Sequence, residues 1–131
     1  MKINQLICTF FNDNKSDLKV NNSNIIKDLK FANDLPEELI ELHKLVSSGF
    51  IYLNENATWR IISIEEIDDI EDNYGYDILK NDLFPIFDCF DNDFICYDLK
   101  KREFVCFNIS DEIIFDKFDC LAEFIEKKIN S

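Results

Sequence analysis

The second half of the chain alternates short apolar segments with tight polar turns, and this pattern limits the possible folds more than any other feature. The triplets Asp91-Asn92-Asp93 and Lys100-Lys101-Arg102 have the length and polarity of hairpin turns. Strands joined by such short turns must run antiparallel. Ile113–Phe115 is a candidate for one further, shorter strand. The apolar segments that we predict to be strands are Leu83–Phe90, Phe94–Leu99 and Glu103–Asn108.

Capping and turn residues predict helices on either side of these strands. Pro36 suits the first turn of a helix, and one apolar stripe at helical spacing is formed by Leu35, Leu39, Leu42 and Val46. Gly49 is placed to end that helix in a left-handed conformation, and Ser63-Ile64-Glu65-Glu66 forms a capping box for the next helix. We predict helices near residues 25–32, 36–47, 64–71 and 118–129, and two strands that begin at Phe50 and Thr58.

The N-terminal residues are less decisive, but the whole chain fits one domain. Lys2–Phe11 fits either a helix or a strand, and Asn12–Asn24 is predicted to be a polar loop. A chain of 131 residues can bury a single core, and two Gly and two Pro leave little room for flexible linkers. We therefore predict a single α+β domain over residues 1–131, in which a largely antiparallel sheet is flanked by about four helices.

Trp59 alternates with Arg60 along a predicted strand, and the indole is expected to point into the core.

Acidic residues are concentrated in one stretch. Between Ile61 and Leu99 there are twelve acidic residues and one basic residue, Lys80, while the whole chain has a formal net charge of −13. Such a stretch can steer cationic partners and repel phosphate backbones. The acidic stretch is equally consistent with a solvated surface that has no partner. Nucleic-acid binding is disfavoured, because the basic triplet at 100–102 is isolated in acidic surroundings.

Cysteine usage and the N-terminus predict a cytoplasmic protein. The five cysteines form no CxxC pair, and an odd number without a secretion signal indicates reduced thiols packed in the core. Asn4, Gln5 and Thr9 interrupt what would have to be a continuous apolar signal segment. No apolar run approaches the ~20 residues that a membrane-spanning helix needs. We expect no membrane interaction, and the sequence leaves the oligomeric state open.

No catalytic or metal-binding pattern stands out. His43 is the only histidine, and its place at the edge of an apolar helix stripe predicts a surface or half-buried side chain. The dispersed cysteines have no zinc-ligand spacing, and Asp91-Asn92-Asp93 lacks the Gly and the final Glu of a calcium loop. Carboxylate pairs are frequent, but a catalytic pair must be desolvated in a cleft. We predict no enzyme activity, metal or cofactor, which leaves binding to another protein.

Short motifs occur in a fixed order from about residue 24 to the end. They are Leu35-Pro36-Glu37-Glu38-Leu39, Ser48-Gly49-Phe50, the run Trp59–Ile67, Leu83-Phe84-Pro85-Ile86, the run Phe94–Asp98 and the run Phe118–Ile125. In this order and spacing they resemble the SUKH superfamily, which includes the Smi/Knr cell-wall regulators. The resemblance implies a compact α+β domain without a catalytic centre.

The resemblance also implies a function. Many bacterial members of the superfamily are immunity proteins that neutralise toxins exchanged between neighbouring cells, often nucleases, and eukaryotic members act in signalling or cell-wall regulation. We therefore expect a non-catalytic domain that binds a cognate basic toxin or another cationic protein. The alternative is an intracellular regulatory or scaffolding module without a toxin partner.

Candidate partner-binding residues lie in the acidic stretch. Tyr74 and Tyr76 are flanked by carboxylates and have the side-chain type of an interface anchor, although ordinary half-buried loop packing accounts for them as well. Asp68, Asp69 and Asp72 are expected to face water on a short helix. The complete candidate set is Asp68, Asp69, Asp72, Tyr74, Tyr76, Asp77, Asp91 and Asp93.

Overall fold

A computed structural model describes residues 2–12, 16–20 and 32–130. Within these residues, seven strands form one antiparallel sheet in which each strand pairs with its neighbour in the chain. The strands are β1 (Ser16–Val20), β2 (Val46–Asn54), β3 (Ala57–Ile61), β4 (Leu83–Asp88), β5 (Asp93–Asp98), β6 (Glu103–Asn108) and β7 (Ile113–Phe118). The α-helices are α1 (Ile3–Asn12), α2 (Glu37–Leu45), α3 (Ile70–Tyr74) and α4 (Leu121–Ile129), and 3-10 turns cover Ala32–Asp34, Ile64–Asp69 and Ile78–Asn81. The α+β prediction is confirmed.

The two faces of the sheet are covered by different parts of the chain. Side chains alternate between the faces along each strand. On one face, Phe124 of α4 stacks on Trp59 of β3, and α4 also contacts β2 and α1. On the other face, Tyr74 of α3 meets Phe94 of β5 edge to face, with 4.9 Å between the ring centroids. Residues 62–82, which we call the acidic connection, therefore lie on the face opposite α4.

Trp59 is buried, as its place in the strand pattern predicts. Its ring centroid lies 5.5 Å from that of Phe87 and 6.1 Å from that of Phe124. Phe118 extends this aromatic row, because it stacks 4.0 Å from Phe124 and 5.4 Å from Phe104. These contacts join β3, β4, β6, β7 and α4 in one core.

The prediction that Gly49 ends a helix is wrong. The helix α2 ends at Leu45, and Val46 begins β2 with an extended backbone. Val46 fits the spacing of the helix stripe, but it is buried as a strand residue that pairs with Val20. Gly49 lies inside the strand with a φ of +126°, where a Cβ atom would come within 2.0 Å of the carbonyl oxygen of Asp17. A glycine is needed there for the close approach of β1.

We expect Gly49→Ala to lower the free energy of unfolding by at least about 1 kcal/mol more than Gly75→Ala. Gly75 also has a positive φ, of +70°, but a Cβ atom added there would meet nothing within 4 Å, so the control has a positive φ without the clash. Urea unfolding measures the difference, and hydrogen exchange should show faster exchange at the amides of β1. Equal losses in the two variants would contradict the close approach of β1.

Three segments in the N-terminal third of the chain remain to be compared with the predicted elements. Residues 16–20, predicted to be loop, form β1, an edge strand whose polar side chains Asp17 and Lys19 are exposed. The N-terminal segment is the helix α1. Most of the helix predicted near 25–32 lies outside the described residues.

The C-terminal helix begins later than predicted because two distant parts of the chain fix its start. Phe118 is the last residue of β7, where it stacks on Phe104, and the helix begins at Leu121. The carboxylate of Glu38 in α2 accepts hydrogen bonds from the N–H groups of Leu121 and Ala122, at 2.6 and 3.0 Å. This carboxylate satisfies two of the N–H groups that have no partner within the first turn of a helix.

Candidate functional site

The acidic connection places its apolar residues inward and its carboxylates outward. Ser63 and Glu66 form a reciprocal capping box that starts the 3-10 turn Ile64–Asp69, as predicted, and α3 follows directly. Five isoleucines of the connection are buried: Ile62, Ile64, Ile67, Ile70 and Ile78. The left-handed backbone of Gly75 ends α3.

Five carboxylate side chains of the connection are exposed. They are Glu65, Asp68, Asp69, Glu71 and Asp72. The prediction that Asp68, Asp69 and Asp72 face water is confirmed. Because the neighbouring isoleucines fix this segment on the sheet, the carboxylates form a surface that is negatively charged and held in place.

A hydrogen-bonded cluster attaches the connection to the sheet. The guanidinium of Arg60 in β3 donates two hydrogen bonds to Glu66, at 2.7 and 3.0 Å, and a third to the hydroxyl of Tyr74. The Tyr74 hydroxyl in turn donates to Asp88 in β4 over 3.0 Å. The Arg60–Glu66 pair has the bidentate geometry of strong charge-assisted bonds.

The pKa values of this cluster follow from its contacts. The hydrogen bonds to Glu66 raise the pKa of Arg60 above its ordinary value. Burial would raise the pKa of Glu66, but hydrogen bonds from Arg60 and Ser63 outweigh it and lower that pKa. Burial raises the pKa of Tyr74 to about 12, against the opposing charge of Arg60. Tyr74 is therefore protonated at neutral pH and is held as a donor to Asp88.

Tyr74 and Tyr76 are both half-buried, and each packs on the sheet. The Tyr76 ring lies 5.9 Å from that of Phe107, which pairs with Phe94 across β5 and β6. The Tyr76 hydroxyl accepts a hydrogen bond from Asn81 over 2.6 Å. Burial, and then a hydrogen bond with Glu112, raises the pKa of Tyr76. The two tyrosines thus lie side by side on the face that the acidic connection covers.

A polar cleft of about 550 Å³ opens beside Tyr76. Its carboxylates are Glu71 and Asp77 from the connection and Glu112 from the β6–β7 turn, and Lys80 contributes one positive charge. Glu112 is absent from the candidate set because it lies far from the acidic stretch in sequence. Its position in the short polar run Ser110-Asp111-Glu112, after a predicted strand, is the sequence signal that could have drawn attention to it.

The candidates Asp91 and Asp93 are not equivalent. Asp91 is exposed in the β4–β5 turn, where Phe90, Asp91 and Asn92 all have positive φ. Asp93 begins β5 and shares a face with Ile95, so it lies on the α4 side of the sheet. The side-chain amide of Asn108 donates to Asp93 over 2.8 Å. The structure therefore brings Asp68, Asp69, Asp72, Tyr74, Tyr76 and Asp77 together and separates Asp93 from them.

Possible nucleophiles and metal ligands are dispersed. Among residues 2–12, 16–20 and 32–130, no three His, Cys, Asp or Glu side chains are arranged to hold a metal ion. All five cysteines are free, but only Cys96 and Cys106 are buried, and Cys8 is exposed, so the expectation of core packing holds for part of them. Burial raises the pKa of Cys106 to about 12, which keeps this thiol protonated.

His43 is fully buried rather than at the surface or half-buried. It meets Phe84 edge to face at 6.4 Å, and burial lowers its pKa to about 4.

None of the helices in the described part of the chain is long and apolar enough to cross a membrane.

Comparison with protein families identifies a match. The model of the SMI1 / KNR4 family (SUKH-1) matches residues 24–127, which is most of the chain. Comparison with curated proteins and with solved structures found no significant match.

Proposed function

The chain belongs to the SMI1 / KNR4 family (SUKH-1), and from this membership we propose that it is a bacterial immunity protein that binds and neutralises a cognate toxin. In this proposal the domain is not an enzyme; it acts by occupying a surface of the toxin. The toxin, or at least its contact surface, is cationic. A nuclease has such a surface, because it must attract phosphate groups.

The observation that carries the proposal is the fixed, outward-facing set of carboxylates on the acidic connection. Asp68, Asp69 and Asp72 are exposed, while Arg60 and Tyr74 hold the segment against the sheet. A rigid surface of one charge accelerates encounter with a partner of opposite charge and excludes partners of like charge. We assign Asp77 and Asp91 to the margin of this interface and Tyr74 and Tyr76 to its aromatic part.

Co-purification tests the proposal directly. The chain is expressed together with the protein encoded by the adjacent gene, and the pair is passed over a size-exclusion column at low and at moderate salt. We expect a stable complex, and we expect expression of the chain to restore growth to cells that produce that protein. Failure of both would favour the alternative, a regulatory or scaffolding module without a toxin.

We expect Asp68→Lys, Asp69→Lys and Asp72→Lys, combined in one variant, to slow association about tenfold or more. The positions face water, so far-UV circular dichroism should not change. Stopped-flow measurements of the association rate at several salt concentrations provide the test, since surface charges are screened within ~8–10 Å at physiological ionic strength.

The matched control changes the net charge by the same amount at other exposed positions. Asp34, Glu55 and Asp119 are exposed and lie outside the acidic connection. Reversing these three residues to lysine should slow association less than reversing the three aspartates of the connection. If both variants slow association equally, net charge and not the acidic connection steers the partner.

A further inference from the structure

The outermost strand β7 exposes large apolar side chains. Ile113, Ile114 and Phe115 are 50, 36 and 53 % exposed, and Phe90 in the β4–β5 turn is 43 % exposed. We call these four residues the apolar edge patch. They share one end of the sheet, because the N–H of Ile109 donates to the carbonyl of Asn92 over 2.9 Å and so joins the two turns. Exposed apolar groups gathered in one place are typical of interaction sites.

Phe115 also borders a groove of about 220 Å³ between the sheet and α4. Trp59, Ile95 and Phe124 contribute apolar lining, Asp93 and Asp116 contribute carboxylates, and Lys128 contributes one positive charge. Asp93, which the sheet separates from the other candidate residues, therefore lies beside the apolar edge patch. The groove has room for one side chain of a partner, with apolar walls for an aliphatic chain and carboxylates for a cationic end.

The backbone of β7 is poorly suited to pairing with another strand. The register between β6 and β7 shifts between Cys106 and Phe107, so Phe115 is an extra residue on the edge strand. Lys117 follows, and its ammonium group lies 3.2 Å from Glu103. A bulge and a lysine are the features by which edge strands avoid pairing. Contacts at this edge are therefore expected to be made by side chains.

Charges around the patch determine which partner it fits. Four exposed carboxylates lie in the two turns and on β7: Asp91, Asp111, Glu112 and Asp116. A second copy of the chain would bring these like charges against one another, which is unfavourable. A cationic surface would meet them favourably.

We propose that the apolar edge patch and its adjoining groove anchor a cationic protein partner, which inserts apolar side chains and an arginine or lysine there. This inference rests on the proposed function, since the partner is the same toxin. It assigns different roles to two surfaces. The acidic connection accelerates association, whereas the apolar edge patch slows dissociation, because buried apolar anchors contribute most of the binding energy in protein interfaces.

The experiment uses the purified product of the adjacent gene as the probe and surface plasmon resonance as the measurement. In the variant Ile113→Thr with Phe115→Thr, β-branched residues keep the strand propensity and remove the large apolar groups. We expect the dissociation rate to rise about tenfold or more with little change in the association rate. The matched control is Tyr52→Thr, which removes an aromatic side chain of 45 % exposure on β2, and it should change the dissociation rate less than about twofold.

Each outcome decides between the proposals. If the wild-type chain binds and the double variant dissociates at the wild-type rate, the apolar edge patch is not the anchor and the proposed function stands. If the wild-type chain does not bind the probe, the proposed function fails and this inference fails with it. If sedimentation shows a wild-type dimer that the double variant abolishes, the patch binds a second copy and the inference is wrong. Should the double variant lose its circular dichroism signal, Phe115→Thr alone is measured under the same criteria.

Discussion

Replacing Trp59 with alanine is expected to lower the free energy of unfolding by about 3–5 kcal/mol, the usual cost of removing a large aromatic side chain from a core. Trp59 is 6 % exposed and packs between Phe87 and Phe124. Because small domains are stable by only about 5–15 kcal/mol in total, the variant should be nearly unfolded or insoluble. The chain has one tryptophan, so unfolding of the variant must be followed by circular dichroism in urea.

The control for this prediction is Trp59→Phe, which keeps a ring between β4 and α4. It should lose clearly less stability than the alanine variant, because most of the aromatic packing remains. A midpoint of urea unfolding that hardly moves in Trp59→Ala would show that the indole contributes little to the core. It would also place β3 in a different register from the one that pairs Ile51 with Trp59.

The strands β4 to β6 could be predicted from the sequence because local signals decide them. Three apolar runs separated by two polar triplets predict three strands joined by hairpin turns. The observed strands differ from the predicted ones by only a few residues at their ends. The strand β1 could not be predicted in this way. Its five residues, Ser-Asp-Leu-Lys-Val, carry weak strand signals, and pairing with β2 across a glycine decides their conformation.

Val46 shows how tertiary context overrides a periodic pattern. The residue continues the Leu39 and Leu42 stripe at helical spacing, yet its backbone is extended and it belongs to β2. Val46 would be buried in either a helix or a strand. An apolar residue at this position therefore cannot distinguish the two conformations. The capping of α4 by Glu38 is another long-range effect, since Glu38 and Ala122 are 84 positions apart in the chain.

The candidate surface was predictable in part. The exposure of Asp68, Asp69 and Asp72 follows from the isoleucine spacing of the connection, which fixes the buried side. The position of Asp93 on the opposite face from Tyr74 depends on the register of β5, and the contribution of Glu112 depends on the β6–β7 turn. Neither can be obtained from the spacing of residues along the acidic stretch.

Lowering the pH from 7 to 5 is expected to reduce the free energy of unfolding by about 2 kcal/mol through His43 alone. Burial lowers the pKa of His43 from 6.5 to about 4 in the folded protein. Below pH 6.5 the unfolded chain therefore binds a proton that the folded chain excludes. The contribution is fully present above pH 6.5 and is lost as the pH falls towards 4. Urea unfolding at pH 7, 6 and 5 measures this loss.

The variant His43→Gln separates this effect from the titration of the many carboxylates. Glutamine is neutral throughout, so between pH 7 and pH 5 the variant should lose about 2 kcal/mol less of its free energy of unfolding than the wild-type chain does, whatever its absolute stability. Glu66, whose pKa is lowered, contributes stability that is lost only as the pH falls below its ordinary value of 4.5, outside the measured range. If the wild-type chain and His43→Gln lose the same free energy between pH 7 and pH 5, His43 is not the group responsible, and its pKa in the folded state must lie near its ordinary value.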